Sequence, residues 1–140
     1  MKARDTWKTT GLRWLKFNFV GALGIVVQLL ILTVLVTGLR LHYLVATGVA
    51  VEIAVLHNFY WHERYTWLDR TYSRPGEVLR RLVRFNCSTG AISIFGNLIL
   101  MRLLVGQAHL QYLIANLITV AACAVLNFLM SDWFVFQRRS

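Results

Sequence analysis

Charge is missing from long stretches of this chain. No Asp, Glu, Lys or Arg occurs in Phe17–Thr37, Phe85–Met101 or Leu110–Met130, and Tyr43–Trp61 holds only Glu52, beside the titratable His57. A soluble domain of 140 residues alternates polar and apolar side chains to build a surface, and these windows do not. Each is close to the ~20 residues that cross a ~30 Å hydrocarbon core, Phe85–Met101 reaching that length if it runs on to Leu104. Backbone polar groups in lipid must be satisfied internally, which leaves helices or closed barrels. Barrel strands are shorter and alternate in polarity, so the four runs are read as four helices. Cysteine is scarce too. Cys87 and Cys123 both fall inside predicted spans, which excludes a disulfide framework, and no metal-ligand spacing exists. No small-residue cleavage site follows the first apolar run, which is also too long for a signal peptide, so it reads as a retained first span. A nucleotide-binding loop and a nucleophile with its base are likewise lacking. The expectation is a protein without enzymatic activity, cofactor or metal.

What is present is positive charge, and its placement matters more than its sum of +9. Lys2, Arg4, Lys8, Arg13 and Lys16 precede the first span; Arg64, Arg70, Arg74, Arg80, Arg81 and Arg84 follow the second; Arg138 and Arg139 close the chain. Of 15 basic residues, only Arg40 and Arg102 lie near the other side. This is a positive-inside pattern rather than a nucleic-acid surface, and it places both termini and the central loop in the cytoplasm, where basic groups also meet anionic head groups. The predicted protein is a multi-pass inner-membrane protein, all-α, with spans of about 17–38, 43–61, 85–104 and 110–130. Two helical hairpins are joined by a loop from about His62 to Arg84. Within it Ser73-Arg74-Pro75-Gly76 is a turn signal, and Glu77–Arg84 is a basic amphipathic segment expected at the interface ahead of span three. Trp7, Trp14, Trp61, Trp67 and Trp133 all fall at the cytoplasmic interface.

The halves are similar at an offset of 69 residues: Gly21-Ala22 with Gly90-Ala91, Gln28 with Asn97, Tyr43-Leu44 with Tyr112-Leu113, Asn58-Phe59 with Asn127-Phe128, and Glu63 with Asp132. One residue out of register, Arg13-x-x-Lys16-Phe17-Asn18 matches Arg81-x-x-Arg84-Phe85-Asn86. Apolar bias does not match amides, glycines and carboxylates. The chain therefore reads as one membrane domain, 1–140, made of two parallel repeats of about 13–67 and 81–136, each entering and leaving from the cytoplasm.

Polar residues inside the spans are the candidate substrate path: Gln28, Glu52 and Asn97. A mid-bilayer carboxylate costs ~2.5–3.5 kcal/mol on insertion scales, so Glu52 needs a partner or a wet cavity. Two readings stand: Glu52 lines a path, or it is protonated and makes one interhelical hydrogen bond worth roughly 0.6 kcal/mol. Ala121 stands opposite Glu52 in the second repeat, which argues against a symmetric proton relay. Gly21, Gly24 and Gly90, with Ala22 and Ala91, form a small-residue face for helix packing. At the cytoplasmic end, Lys16, Asn58, Arg64, Arg81, Arg84, Asn127 and Asp132 are the candidate residues for a lipid phosphate and its head group. Arg64 stands out because a guanidinium is a planar fork suited to phosphate oxygens.

With these residues in hand the chain resembles the GtrA-like proteins, which share their membrane domain with the dolichol-phosphate mannose synthase group. The resemblance covers roughly Leu15–Phe136. It rests on Phe19-Val20-Gly21, on Asn58-Phe59-x-Trp61-His62-Glu63-Arg64-Tyr65-Thr66-Trp67, on Arg84-Phe85, and on Asn127-Phe128-x-x-Ser131-Asp132-x-Phe134-Val135-Phe136. Two positions depart: Tyr65 stands where Trp is usual, and Trp133 where Arg is frequent. The resemblance implies translocation of a polyprenyl-phosphate-linked monosaccharide across the cytoplasmic membrane for cell-envelope glycosylation, with a family II glycosyltransferase as partner. The alternative it leaves is a non-transporting membrane anchor for such a transferase. A small proton-coupled exporter is a third class, disfavoured by the repeat and by the lack of an acid in span one. Four helices make a thin wall around a polar path, so a homo-oligomer, a dimer, is expected.

Overall fold

The computed structural model describes residues 2–71 and 74–137, and the side chains of residues 2–7, 43, 112 and 113 are left aside. Trp7's side chain, the Tyr43/Tyr112 and Leu113 side chains, Ser73, Arg138 and Arg139 thus lie outside the described residues. All secondary structure among the described residues is helical, and four helices are long and apolar enough to cross a membrane: Lys8–Gly38, Leu44–Thr66, Pro75–Gln107 and Ile114–Val135. With no proline inside any apolar run, nothing removes a backbone donor or blocks a turn there.

The chain divides into two units, Met1–Thr71 and Tyr72–Ser140. In the first, α1 (Lys2–Thr33) widens into a π-helical turn at Val34–Gly38, and α2 (Tyr43–Trp61) widens into another at His62–Thr66 before a short 3-10 turn at Leu68–Arg70. The connection reverses at Arg40, whose φ of 53° is left-handed, a conformation few non-glycine residues adopt. His42 then caps α2, its Nδ1 accepting from the Leu44 N–H at 3.4 Å. Ala46, Ala50 and Ala54 make a buried small-residue stripe along α2, one turn apart. The stripe leads to Asn58, whose amide lies flat on Gly24 of α1: a Cβ at Gly24 would sit 2.2 Å from Asn58 Oδ1. The small-residue face expected in α1 narrows to this one position, since nothing lies within 4 Å of a Cβ at Gly21.

In the second unit Pro75 occupies the first turn of α3 (Pro75–Ala91), where its missing N–H would be unbonded anyway. The basic amphipathic segment Glu77–Arg84 belongs to that helix and runs into the span without a break, because no helix breaker separates them. A π turn at Ile92–Gly96, α4 (Asn97–Met101) and a further π turn at Arg102–Gln107 complete this span. Then come α5 (Tyr112–Met130) and a closing π turn at Ser131–Val135. Gly96 meets Cys123 of α5, where a Cβ would come within 3.0 Å of Sγ. At Gly90, as at Gly21, a Cβ would meet open space.

Backbone details recur between the units at the 69-residue offset. His109 repeats the left-handed φ of 53° found at Arg40. Leu39 N–H donates to Val34 O and Ala108 N–H to Leu103 O; Trp67 N–H donates to His62 O and Phe136 N–H to Ser131 O.

Candidate head-group site at the base of the helices

The stretch His57–Trp67 carries the richest polar chemistry of the first unit, and the π turn decides how it is arranged. Widening the helix at His62–Thr66 turns the His62 ring inward. It stacks on Phe17 of α1 (centroids 4.7 Å apart, 10° between planes), and Trp67 meets both rings edge-on, at 5.3 and 6.1 Å. His62 Nδ1 and Thr66 Oγ1 are 3.0 Å apart and both residues are buried. A ring so enclosed is an anchor for the end of the hairpin, not a group exposed to substrate.

Around this aromatic block sit the cations. Arg13 is buried and reaches Asp69 with Nη2 at 2.5 Å, pinning the Leu68–Arg70 turn to α1 across 56 residues. Lys16, one turn further along α1, donates from Nζ to the Tyr65 carbonyl at 3.4 Å and lies 4.5 Å from that ring's centroid. In the second unit Arg84 donates from Nη1 to the Phe134 carbonyl at 3.4 Å, with its guanidinium 4.9 Å from the Phe134 ring. One device thus occurs twice: a cation at the start of the apolar helix, held by the carbonyl and the ring of one residue in the closing π turn. A cation held over an aromatic face loses little mobility when it meets an anion.

The other expected site residues are distributed as follows. Arg64 lies over the Tyr60 ring at 5.2 Å. Arg81 faces Glu77 one turn back, at 4.0 Å. Asn58 pairs with His57, Oδ1 to Nδ1 at 3.3 Å, as well as packing on Gly24. Asn127 Oδ1 is buried without a hydrogen-bond partner among the described residues, as is Thr119 Oγ1 two turns earlier on α5. Asp132 is half-buried at the first turn of its π segment. Of the path residues, Gln28 is half-buried, and Asn97 donates Nδ2 to the Ser93 carbonyl of its own helix at 2.7 Å. Glu52 is exposed, on the side of α2 opposite the Ala50–Ala54 stripe, so it is not enclosed between the helices of its own hairpin.

Between α1 and the closing turn of the first unit lies an open groove of about 450 Å³, lined by Thr9, Leu12, Arg13, Lys16, Tyr65, Thr66, Leu68 and Asp69. Arg64 is outside this lining. Arg13, Tyr65, Thr66 and Asp69 escaped the sequence reading as site residues. The signal available was Thr9, Leu12, Arg13 and Lys16 at i, i+3, i+4 and i+7, one face of a helix.

Four apolar helices with cations and aromatic rings at their basic ends define a multi-pass membrane protein suited to contact with lipid head groups. Comparison with known proteins makes this particular. Residues 16–136 match the GtrA/DPMS transmembrane domain, and the chain belongs to that family. It is 32% identical over 108 residues to a dolichol-phosphate mannosyltransferase of Pyrococcus furiosus, a match spanning 77% of this chain but 29% of that protein. It is 26% identical over 122 residues to the uncharacterized membrane protein YwcD of Bacillus subtilis, covering 87% of this chain and 94% of that one.

Proposed function

We propose that this protein moves a polyprenyl-phosphate-linked monosaccharide across the cytoplasmic membrane for use in cell-envelope glycosylation. It does so without catalysing a covalent step, and with both termini in the cytoplasm. The observation that carries this reading is the doubled device of Lys16 on Tyr65 and Arg84 on Phe134. Each cation is the last charge before an uncharged helix, the depth at which a lipid phosphate lies. Family membership agrees with a lipid-linked sugar as the molecule handled.

The test is a vesicle assay. Purified protein in liposomes is expected to speed exposure of a polyprenyl-phosphoryl-hexose to the far leaflet, read by an impermeant oxidant. Lys16→Gln/Arg84→Gln is expected to slow it about tenfold or more, since each cation gives a charge-assisted contact. Well-folded protein that is no faster than empty vesicles would refute transport.

A second reading keeps the family and drops transport: the chain anchors a family II glycosyltransferase. One observation favours it. The matched segment is under a third of a protein that bears the name dolichol-phosphate mannosyltransferase, so in that relative the domain is joined to further chain. Co-purification of a transferase together with unaltered sugar delivery in a Gln28→Ala/Glu52→Ala variant would support the anchor. Loss of delivery with the complex intact would support transport. A homodimer fits either reading.

A further inference from the structure

We propose that the groove beside Lys16 is where the head group docks, and that it selects a singly charged phosphodiester. This rests on the lipid-linked-sugar reading above.

Charge is the first argument. Arg13 and Asp69 neutralise each other across the groove, which leaves Lys16 as its net charge of one. A lipid phosphate esterified to a sugar carries one negative charge, whereas a phosphomonoester carries up to two and a pyrophosphate more. Burying excess anion without a matching cation is costly, so a groove with one net cation favours the diester.

Position is the second. The groove stops where the uncharged window Phe17–Thr37 starts, with half-buried Trp14 at the same level. An ammonium has three N–H bonds. The Tyr65 carbonyl takes one and holds the group in place, which leaves two for phosphate oxygens.

Shape is the third. A volume of about 450 Å³ lies within the range of small-molecule sites and exceeds what a bare phosphate fills. Asp69, whose side chain is 59% exposed although it bonds Arg13, offers carboxylate oxygen to sugar hydroxyls. Leu12 and Leu68 are exposed apolar side chains in the lining, and they suit the first isoprene units. A dry surface for an acidic protein partner would need neither this concavity nor these leucines.

The experiment measures equilibrium binding of a radiolabelled polyprenyl-phosphoryl-hexose to the full chain in phosphatidylcholine nanodiscs. Lys16→Gln is expected to weaken binding about tenfold or more. Arg102→Gln, which does not line the groove, is expected to stay within about twofold. Polyprenyl pyrophosphate is expected to compete poorly. Binding by Lys16→Gln within about twofold of the unmodified chain overturns the groove and leaves the functional reading standing, as does weakening by Arg64→Gln alone. No binding by the unmodified, folded chain overturns the functional reading itself. Displacement by equimolar phosphatidylglycerol, also a phosphodiester, assigns the groove to an ordinary anionic lipid and overturns the proposal. If Lys16→Gln does not fold, photocrosslinking the unmodified chain with a diazirine-bearing lipid-linked sugar decides. Adducts within Thr9–Lys16 or Tyr65–Asp69 support the groove, and adducts confined elsewhere overturn it.

Discussion

Replacing Gly24 by alanine adds one methyl group where α1 has no room for it. The new Cβ would lie 2.2 Å from Asn58 Oδ1, 2.6 Å from Nδ2 and 2.7 Å from Cγ. All three contacts are below the closest approach of such atoms, and Cγ is too near the backbone for a rotation of the amide alone to clear it. Either Asn58 leaves, and gives up its contact with His57, or the helices part at the end of the alanine stripe. Overpacking of this kind costs about 1–3 kcal/mol, and a lost side-chain hydrogen bond about 1 kcal/mol. Higher helix propensity returns at most about 1 kcal/mol. The net expectation is destabilisation by about 1–3 kcal/mol. Gly21→Ala, one turn away with nothing within 4 Å of the added Cβ, supplies the control: the same propensity gain with no collision. Unfolding both variants in mixed micelles by titration with SDS, followed by tryptophan fluorescence, gives the comparison. If Gly24→Ala proves as stable as Gly21→Ala, the close approach of Asn58 to α1 is wrong.

Three further predictions rest on other parts of the molecule. Thr66→Val leaves buried His62 Nδ1 without its hydroxyl partner; it is expected to cost about 1–3 kcal/mol in the same titration, whereas Thr66→Ser retains most of the stability. Asp69→Asn frees the Leu68–Arg70 turn from Arg13. Because Asp69 is largely solvated the loss of stability is held to about 1 kcal/mol, but trypsin cleavage after Arg70 should become faster, and unchanged cleavage would mean the pin does not hold the turn. Cys87 is uncovered by protein and Cys123 is packed, so in detergent solution a membrane-permeant maleimide is expected to label Cys87 faster than Cys123, and both thiols after SDS denaturation, as counted by mass spectrometry.

Composition alone carries much of this architecture. The four helices follow from the uncharged windows, because lipid leaves the backbone few alternatives. Punctuation such as Asn58-Phe59 and Asn127-Phe128 marks where helices end, since amides and aromatic rings recur where apolar runs stop. The candidate site was less legible. Periodicity puts Arg13 and Lys16 on one face of α1, yet it does not say that Asp69 and the Tyr65 carbonyl lie opposite, because those partners are 56 and 49 residues away. Gly21 and Gly24 look equivalent in a sequence, and only the position of Asn58 separates them. The π turn at His62–Thr66 was not legible for a related reason: the rings it brings together, His62, Phe17 and Trp67, come from both ends of the first hairpin.

The pinning contacts of Arg13 and Lys16 also bear on how the protein is made. Each joins residues within Lys2–Thr71, and those of Arg84 lie wholly within the second unit. The first hairpin can therefore complete its own closing contacts while most of the second is still being synthesised. Each pair of spans carries the clasp at its own base, and neither depends on the other for it.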